Sequence, residues 1–269
     1  MGPISPMASV GVMVDSDRFV VESPYVRRAR RSDCKVRLIC FPHAGAGASN
    51  YADWPALLPP EVELIAVQLP GREDRITEKP LTQVSTVVRT VGLALRPYLR
   101  GSLAFFGHSG GALLAYELGR ALQRRGGARL AHLFVSSQPA PDYPLAAEPL
   151  HALPDEQFLA AVRALGGTDE STFANQDLMR LLLPGLRADF ALCENHRFEP
   201  GAPLDTPITA FGTEHDDRAP IDGLHAWRAH TTREFDTRLF TGDHFYLGGA
   251  AAEVTAAIAD ALLSGVPVN

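Results

Sequence analysis

Short apolar runs alternate with helical stretches along most of this chain, and that alternation restricts the fold more than any other feature. The runs are KVRLICF (35–41), VELIAV (62–67), LAFFG (103–107), RLAHLFVSS (129–137), ITAFG (208–212) and DTRLF (236–240). Between them lie a short helix near 50–58, amphipathic patterns over 81–98 and 110–125, a helix near 222–230 and a last one over 251–263. Strands that are apolar along their length must be covered on both faces. The pattern therefore predicts an α/β fold, a mostly parallel central sheet with helices on both faces.

One stretch breaks the rhythm. Residues 138–205 hold two helical patterns, PDEQFLAAVRALGG and NQDLMRLLLPGLRADFALCENH, with no strand between them. An insertion of that length between two sheet strands reads as a helical lid subdomain, leaving 25–137 and 206–269 as the core. Residues 1–24 show no period and read as a flexible arm. The cluster RRARR (Arg27 to Arg31) follows directly and reads as solvated charge.

Composition narrows the chemistry. Of the 25 basic residues only Lys35 and Lys79 are lysines, and neither lies in a phosphate loop or a Ser-x-x-Lys motif. Schiff-base, pyridoxal-phosphate and lysine-dependent nucleotide chemistry are thereby disfavoured. No His, Cys and carboxylate set has metal-ligand spacing, and neither cofactor nor metal is expected. A net charge of −6 argues against a nucleic-acid or anionic-membrane surface. Cys34, Cys40 and Cys193 are an odd set without CxxC and read as reduced thiols. With no signal peptide and no apolar run long enough to span a bilayer, the expectation is a cytoplasmic monomer.

The strongest local signal is Gly107-His108-Ser109-Gly110-Gly111 between the LAFF strand and the helix ALLAYELGRALQRR. A GxSxG that joins strand to helix lifts its serine clear of the sheet on a strained turn, with glycines on either side so that strand and helix can pack closely. The helix N-terminus also aims free N–H groups at the site. Ser109 is therefore the candidate nucleophile, and a serine at its free pKa needs a base. Of nine histidines, His244 stands in the loop Thr-Gly-Asp-His-Phe-Tyr, after the last strand and before the last helix. Sites in parallel sheets gather at the carboxyl ends of strands, where Ser109 and this loop would both lie.

The acid that orients the base should follow the preceding strand, and ITAFG runs into Thr213-Glu214-His215-Asp216-Asp217. Asp216 and Asp217 both qualify on position. An oxyanion hole needs two backbone donors: one is the N–H of Gly110, the other comes from the turn PHAGAG after the first strand, at Ala44.

The segments CFPHAGAGASNY, VQLPGRE, GHSGGALLAYEL, LLPGLRADFALCE, FGTEHDD and GDHFYL, in this order, resemble the type II thioesterases of polyketide and nonribosomal peptide assembly lines. LPGRE and LRADF separate that family from generic esterases. The resemblance implies an α/β-hydrolase fold with a helical lid, acting on acyl groups held as thioesters on the phosphopantetheine arm of an acyl or peptidyl carrier protein, for editing or release. It implies Ser109 as nucleophile, His244 as base and Asp216 as orienting acid. The family commonly has Met after the serine; Gly110 here keeps the backbone donor but implies a more open pocket wall. The resemblance also offers a second reading of Arg27, Arg28, Arg30 and Arg31, as a face for an acidic carrier protein.

In the lid, Phe158, Leu159, Val162 and Leu165 fall on one helical face, and Met179, Leu182, Leu183, Leu186 and Phe190 on another. These stripes are expected mainly to pack on each other and the core, with a remainder lining an acyl chamber. The triad chemistry alone would serve a lipase or esterase on free esters equally well. A dinucleotide-binding oxidoreductase is disfavoured, because Asn50 stands where Gly45-x-Gly47 needs its third glycine and no acid follows Val67-Gln68. The intact Ser, Asp and His argue against an inactive, hydrolase-like interaction protein.

Overall fold

The computed structural model describes residues 18–144, 149–166 and 170–264. Eight strands form one sheet: β1 (Val20–Ser23), β2 (Val26–Ala29), β3 (Val36–Phe41), β4 (Val62–Val67), β5 (Ser102–His108), β6 (His132–Ser136), β7 (Ile208–Thr213) and β8 (Phe235–Phe240), in the order β1-β2-β4-β3-β5-β6-β7-β8. From β4 to β8 every neighbouring pair is parallel, while β1, β2 and β4 pair antiparallel. The apolar runs explain the inner strands: β4 and β7 are buried at every position. At the edge, β8 alternates between exposed and half-buried residues.

Helices cover both faces. On one, α2 (Val84–Leu95), α3 (Gly110–Arg124) and α7 (Ile221–His225) pack with Ile39, Ile65, Phe105 and Leu133. On the other, the short α1 (Trp54–Leu57) and the last helix α8 (Leu247–Leu263) pack with Leu38, Leu64, Phe106 and Phe134. The insertion carries α4 (Asp155–Leu165), α5 (Glu170–Ala174) and α6 (Gln176–Glu194). Phe158 and Val162 of α4 meet Phe190 of α6 in a small core of their own, so much of both lid stripes packs lid on lid. The end of α6 does not stay in the lid: Leu192, Cys193 and the following Phe198 join the main core.

The amino-terminal segment departs from the sequence reading. Residues 20–23, expected in a flexible arm, form β1, and Arg27 and Arg28 lie inside β2; residues 1–17 of that arm fall outside the described residues. Most of the arginine cluster is engaged inside the molecule rather than solvated, and only Arg30 remains exposed. Arg27 is buried and pairs with Asp74, Arg30 pairs with Glu22, and Arg31 donates to the Pro55 carbonyl. Arg28 pairs at 2.8 Å with Glu63, a fully buried carboxylate in β4 that also holds Arg37 at 2.9 Å. A charge inside the apolar run VELIAV needs such partners, and β2 brings one of them.

The strand order fixes where a site can form. The chain steps from β3 to β4 on one side, then crosses to β5 on the other, which makes the crevice beyond their carboxyl ends a topological switch point. Phe41 at the end of β3 pairs with Gly107, and His108 at the end of β5 pairs with Ser136. The turns that follow β3 and β5 therefore leave the sheet side by side.

Candidate active site

Ser109 stands between β5 and α3 with φ 52° and ψ −128°, a backbone region that disfavours side chains. The neighbourhood holds it there. Its N–H donates to the Ser136 carbonyl at 2.7 Å. A Cβ on Gly107 would come within 2.3 Å of the Gly111 carbonyl oxygen, and one on Gly111 within 2.1 Å of the Phe41 carbonyl oxygen. Both glycines are thus required by close backbone approach, and the turn lifts the serine hydroxyl into the switch-point crevice.

His244 reaches the same point from the loop after β8. Its Nε2 lies 3.1 Å from Ser109 Oγ, and its Nδ1 lies 2.8 Å from Asp216 Oδ2. Of the two adjacent acids only Asp216 turns inward: it is buried, while Asp217 and His215 are exposed. The other oxygen of Asp216 accepts the N–H groups of Arg218 at 3.0 Å and Ala219 at 3.2 Å. Burial alone would raise the Asp216 carboxyl. The hydrogen bond and charge of His244 and the Arg218 N–H outweigh it, holding the carboxyl below its ordinary value. A carboxylate at Nδ1 selects the tautomer protonated there, which leaves Nε2 free to accept the serine proton.

Aromatic rings wall this chain. His43 lies 5.6 Å from His108, His108 lies 5.5 Å from His244, and Phe245 packs 4.9 Å from His244, centroid to centroid. Burial pulls the His43 pKa down to about 4 and holds that of His108 well below its ordinary value. Both rings are therefore neutral at neutral pH and set no second cation against a proton arriving on His244.

The two residues expected from the sequence to supply backbone donors line one narrow cavity. Ala44 and Gly110 both line it, with His43, Leu114 and Cys193, and its volume is about 10 Å³, room for about one water. The N–H of Gly110 belongs to the unsatisfied first turn of α3. In the other turn Gly45 gives its N–H to Asp189 and Ala46 to the His43 carbonyl, while that of Ala44 donates to no described atom. A hydroxyl, an imidazole and a carboxylate in hydrogen-bonded series, next to a helix N-terminus, can perform acyl transfer.

The glycine-rich turn itself leaves no place for a pyrophosphate. The Glu73 carboxylate accepts the N–H and hydroxyl of Ser49, and it lies 2.4 Å from where a Cβ of Gly47 would stand. Among the described residues no group of three His, Cys, Asp or Glu side chains could hold a metal ion.

A sequence model of the thioesterase domain matches residues 36–262. The chain belongs to the thioesterase family. It is a hydrolase of thioester bonds with the α/β-hydrolase fold. Gramicidin S biosynthesis protein GrsT of Aneurinibacillus migulanus is 42% identical over 223 residues, covering 83% of this chain and 87% of that protein. Thioesterase PikA5 of Streptomyces venezuelae is 40% identical over 254 residues, 93% of this chain and 90% of the relative. The structure of BorB, a type II thioesterase from the borrelidin biosynthetic cluster, superposes with a TM-score of 0.81 at 34% identity, covering 90% of this chain and 98% of the other.

Two features of this thioesterase were not legible as site features. The first corrects the expectation of an open wall at Gly110. The Cys193 sulfur of α6 lies 2.6 Å from where a Cβ at position 110 would stand, so the lid helix fills the space a side chain would take. Burial pushes that thiol up to about 12, and it stays protonated against Gly110. The second is a buried ion pair between Arg72 of LPGRE and Asp189 of LRADF. Their presence in the two segments that mark the family was the available signal, but a linear reading gives no reason to join them. A larger open cleft of about 730 Å³, between the start of α2 and the ends of α3 and α6, contains none of Ser109, His244 and Asp216.

Proposed function

We propose that this thioesterase removes acyl groups from the phosphopantetheine arm of acyl or peptidyl carrier proteins, as an editing or releasing enzyme of polyketide or nonribosomal peptide biosynthesis. Ser109 is the nucleophile, His244 the general base and Asp216 the orienting acid. The N–H groups of Ala44 and Gly110 form the oxyanion hole. The observation that carries the reading is the unbroken chain from Ser109 Oγ through His244 to Asp216, at 3.1 and 2.8 Å. The carrier-bound substrate rests on the relatives: GrsT is named for gramicidin S biosynthesis, and BorB is a type II thioesterase of a biosynthetic cluster.

The chemistry follows from the geometry. Ser109 Oγ attacks the thioester carbonyl carbon while its proton passes to His244 Nε2, and the carbonyl oxygen takes the negative charge between the two N–H groups. The C–S bond then breaks, the pantetheine thiol leaves with the proton from His244, and an acyl ester remains on Ser109. Water attacks that ester, giving its proton to His244. The second tetrahedral intermediate collapses to the free acid, and Ser109 recovers its proton. Asp216, held as a carboxylate, stabilises the imidazolium in both halves.

The enzyme works as a monomer in the cytoplasm, on a carrier protein and without nucleic acid or membrane. Three free cysteines suit a reducing compartment, and among the described residues no helix is long and apolar enough to cross a membrane. Mass spectrometry of acyl-carrier proteins tests the reading. Conversion of acyl-phosphopantetheine to free thiol, faster than hydrolysis of the matching p-nitrophenyl ester at equal kcat/KM scale, is expected. Preference for the free ester would replace it with an ordinary esterase.

A further inference from the structure

Asp189 on α6 grips Arg72 through two buried hydrogen bonds, 2.7 Å to one guanidinium nitrogen and 2.8 Å to the other. The same Asp189 oxygen accepts the N–H of Gly45 at 2.7 Å. Arg72 in turn donates to the Ala46 carbonyl at 3.0 Å and the Pro70 carbonyl at 3.3 Å. Gly45 and Ala46, the two residues that follow Ala44 in the turn, are thus both tied to one ion pair, and one half of that pair belongs to the lid.

The backbone around it is cut to fit. Gly45 has φ +81°, and a Cβ there would meet Leu186 Cδ1 of α6 at 2.8 Å. Gly185 of α6 lies against the loop before Arg72, where a Cβ would come within 2.3 Å of the Gly71 carbonyl oxygen. Asp189 and Cys193 are four residues apart and share a face of α6. The first holds the neighbour of Ala44, and the second abuts Gly110. One helix therefore touches the backbone beside each of the two donors.

We propose that Asp189 is a positioning residue that, paired with Arg72, sets the oxyanion hole, so that the hole is complete only when α6 is seated on the turn after β3. This rests on the serine mechanism proposed above and adds to it a link between lid and chemistry. Seating of α6 then commits a bound thioester to acylation, because a donor displaced with the lid cannot stabilise developing charge. A buried bidentate pair is suited to this role, since it fixes orientation as well as distance.

The test uses Asp189→Asn, which keeps the side-chain shape and an acceptor for Gly45 but removes the charge, and Arg72→Lys, which keeps the charge and removes the fork. Each is assayed on a small N-acetylcysteamine thioester, with a trifluoromethyl ketone of the same acyl chain as tetrahedral analogue and thermal melting as control. The expectation is a fall in kcat of about 10–100-fold in Asp189→Asn, with KM little changed and analogue affinity reduced by a similar factor. Arg72→Lys should move both in the same direction, and it serves alone if Asp189→Asn does not fold. A lowered melting temperature with wild-type kcat and analogue affinity would reduce the pair to a structural tie and overturn the proposal. A fall in kcat without a loss of analogue affinity would overturn it too. Ser109→Ala is run alongside: turnover surviving in that variant refutes the serine mechanism, a result separate from either of these.

Discussion

The Cys193 sulfur stands 2.6 Å from the point a Cβ on Gly110 would occupy, and the residue after the nucleophile and a lid cysteine thereby share one space. Neither partner can grow unless the other shrinks. Gly110→Ala should cost about 1–3 kcal/mol of stability by overpacking. Adding Cys193→Ala should return most of that cost, so the pair is strongly non-additive. Urea denaturation of the two single variants and the double variant gives the coupling directly; additive losses would show that the two positions do not compete.

Asp216 and Asp217 are neighbours with opposite surroundings. Asp216 is buried against His244, and Asp217 is exposed. Asp216→Asn should lower kcat by about 10³–10⁴-fold, as loss of the orienting carboxylate does in other triads. Asp217→Asn should remain within about twofold of wild type, because a solvated acid contributes little. Steady-state kinetics on one thioester substrate separates the two.

His132 supplies a test in pH. Burial lowers its pKa to about 4 in the folded chain, against an ordinary value of 6.5. The unfolded chain therefore binds more protons between those values, and stability falls as pH drops through that window. The loss from this group between pH 7 and pH 5 is about 2 kcal/mol at most. His132→Gln removes the titrating group, so its stability difference between the two pH values, from urea melts, should be smaller than that of wild type. The ring stacks on Phe134 at 4.2 Å, so the absolute stability should fall at both pH values.

The arginines of β2 make a prediction about partners. Arg28→Ala leaves the fully buried Glu63 with one fewer cation and should destabilise the fold by about 1–3 kcal/mol. Its KM for an acyl-carrier substrate should stay unchanged, because the guanidinium is engaged inside the molecule. A raised KM with unchanged melting temperature would return this cluster to the carrier-facing role.

These cases also mark how far the sequence could be read. The parallel strands were legible because their runs are mostly apolar, as in β4 and β7, which are buried at every position, and the candidates Ser109 and His244 because each follows a strand that could be located. β1 and β2 were missed for a physical reason. They are four residues long, and β2 carries two arginines whose partners, Asp74 and Glu63, lie far along the chain. Charge reads as solvation until its partner is known. Position alone could not tell Asp216 from Asp217, and only the family resemblance favoured Asp216, since the difference is which one the loop turns toward His244. The contacts of α6 with Gly110, Gly45 and Arg72 are tertiary, and no local pattern in α6 announces them.

The central claim is that thioester cleavage runs through Ser109. It is tested most directly by the rate at which acyl-loaded carrier protein returns to free thiol, followed by intact mass, for wild type and Ser109→Ala matched in circular dichroism. The account predicts a fall of about 10⁴-fold or more in the variant. Release by Ser109→Ala at the wild-type rate would contradict it.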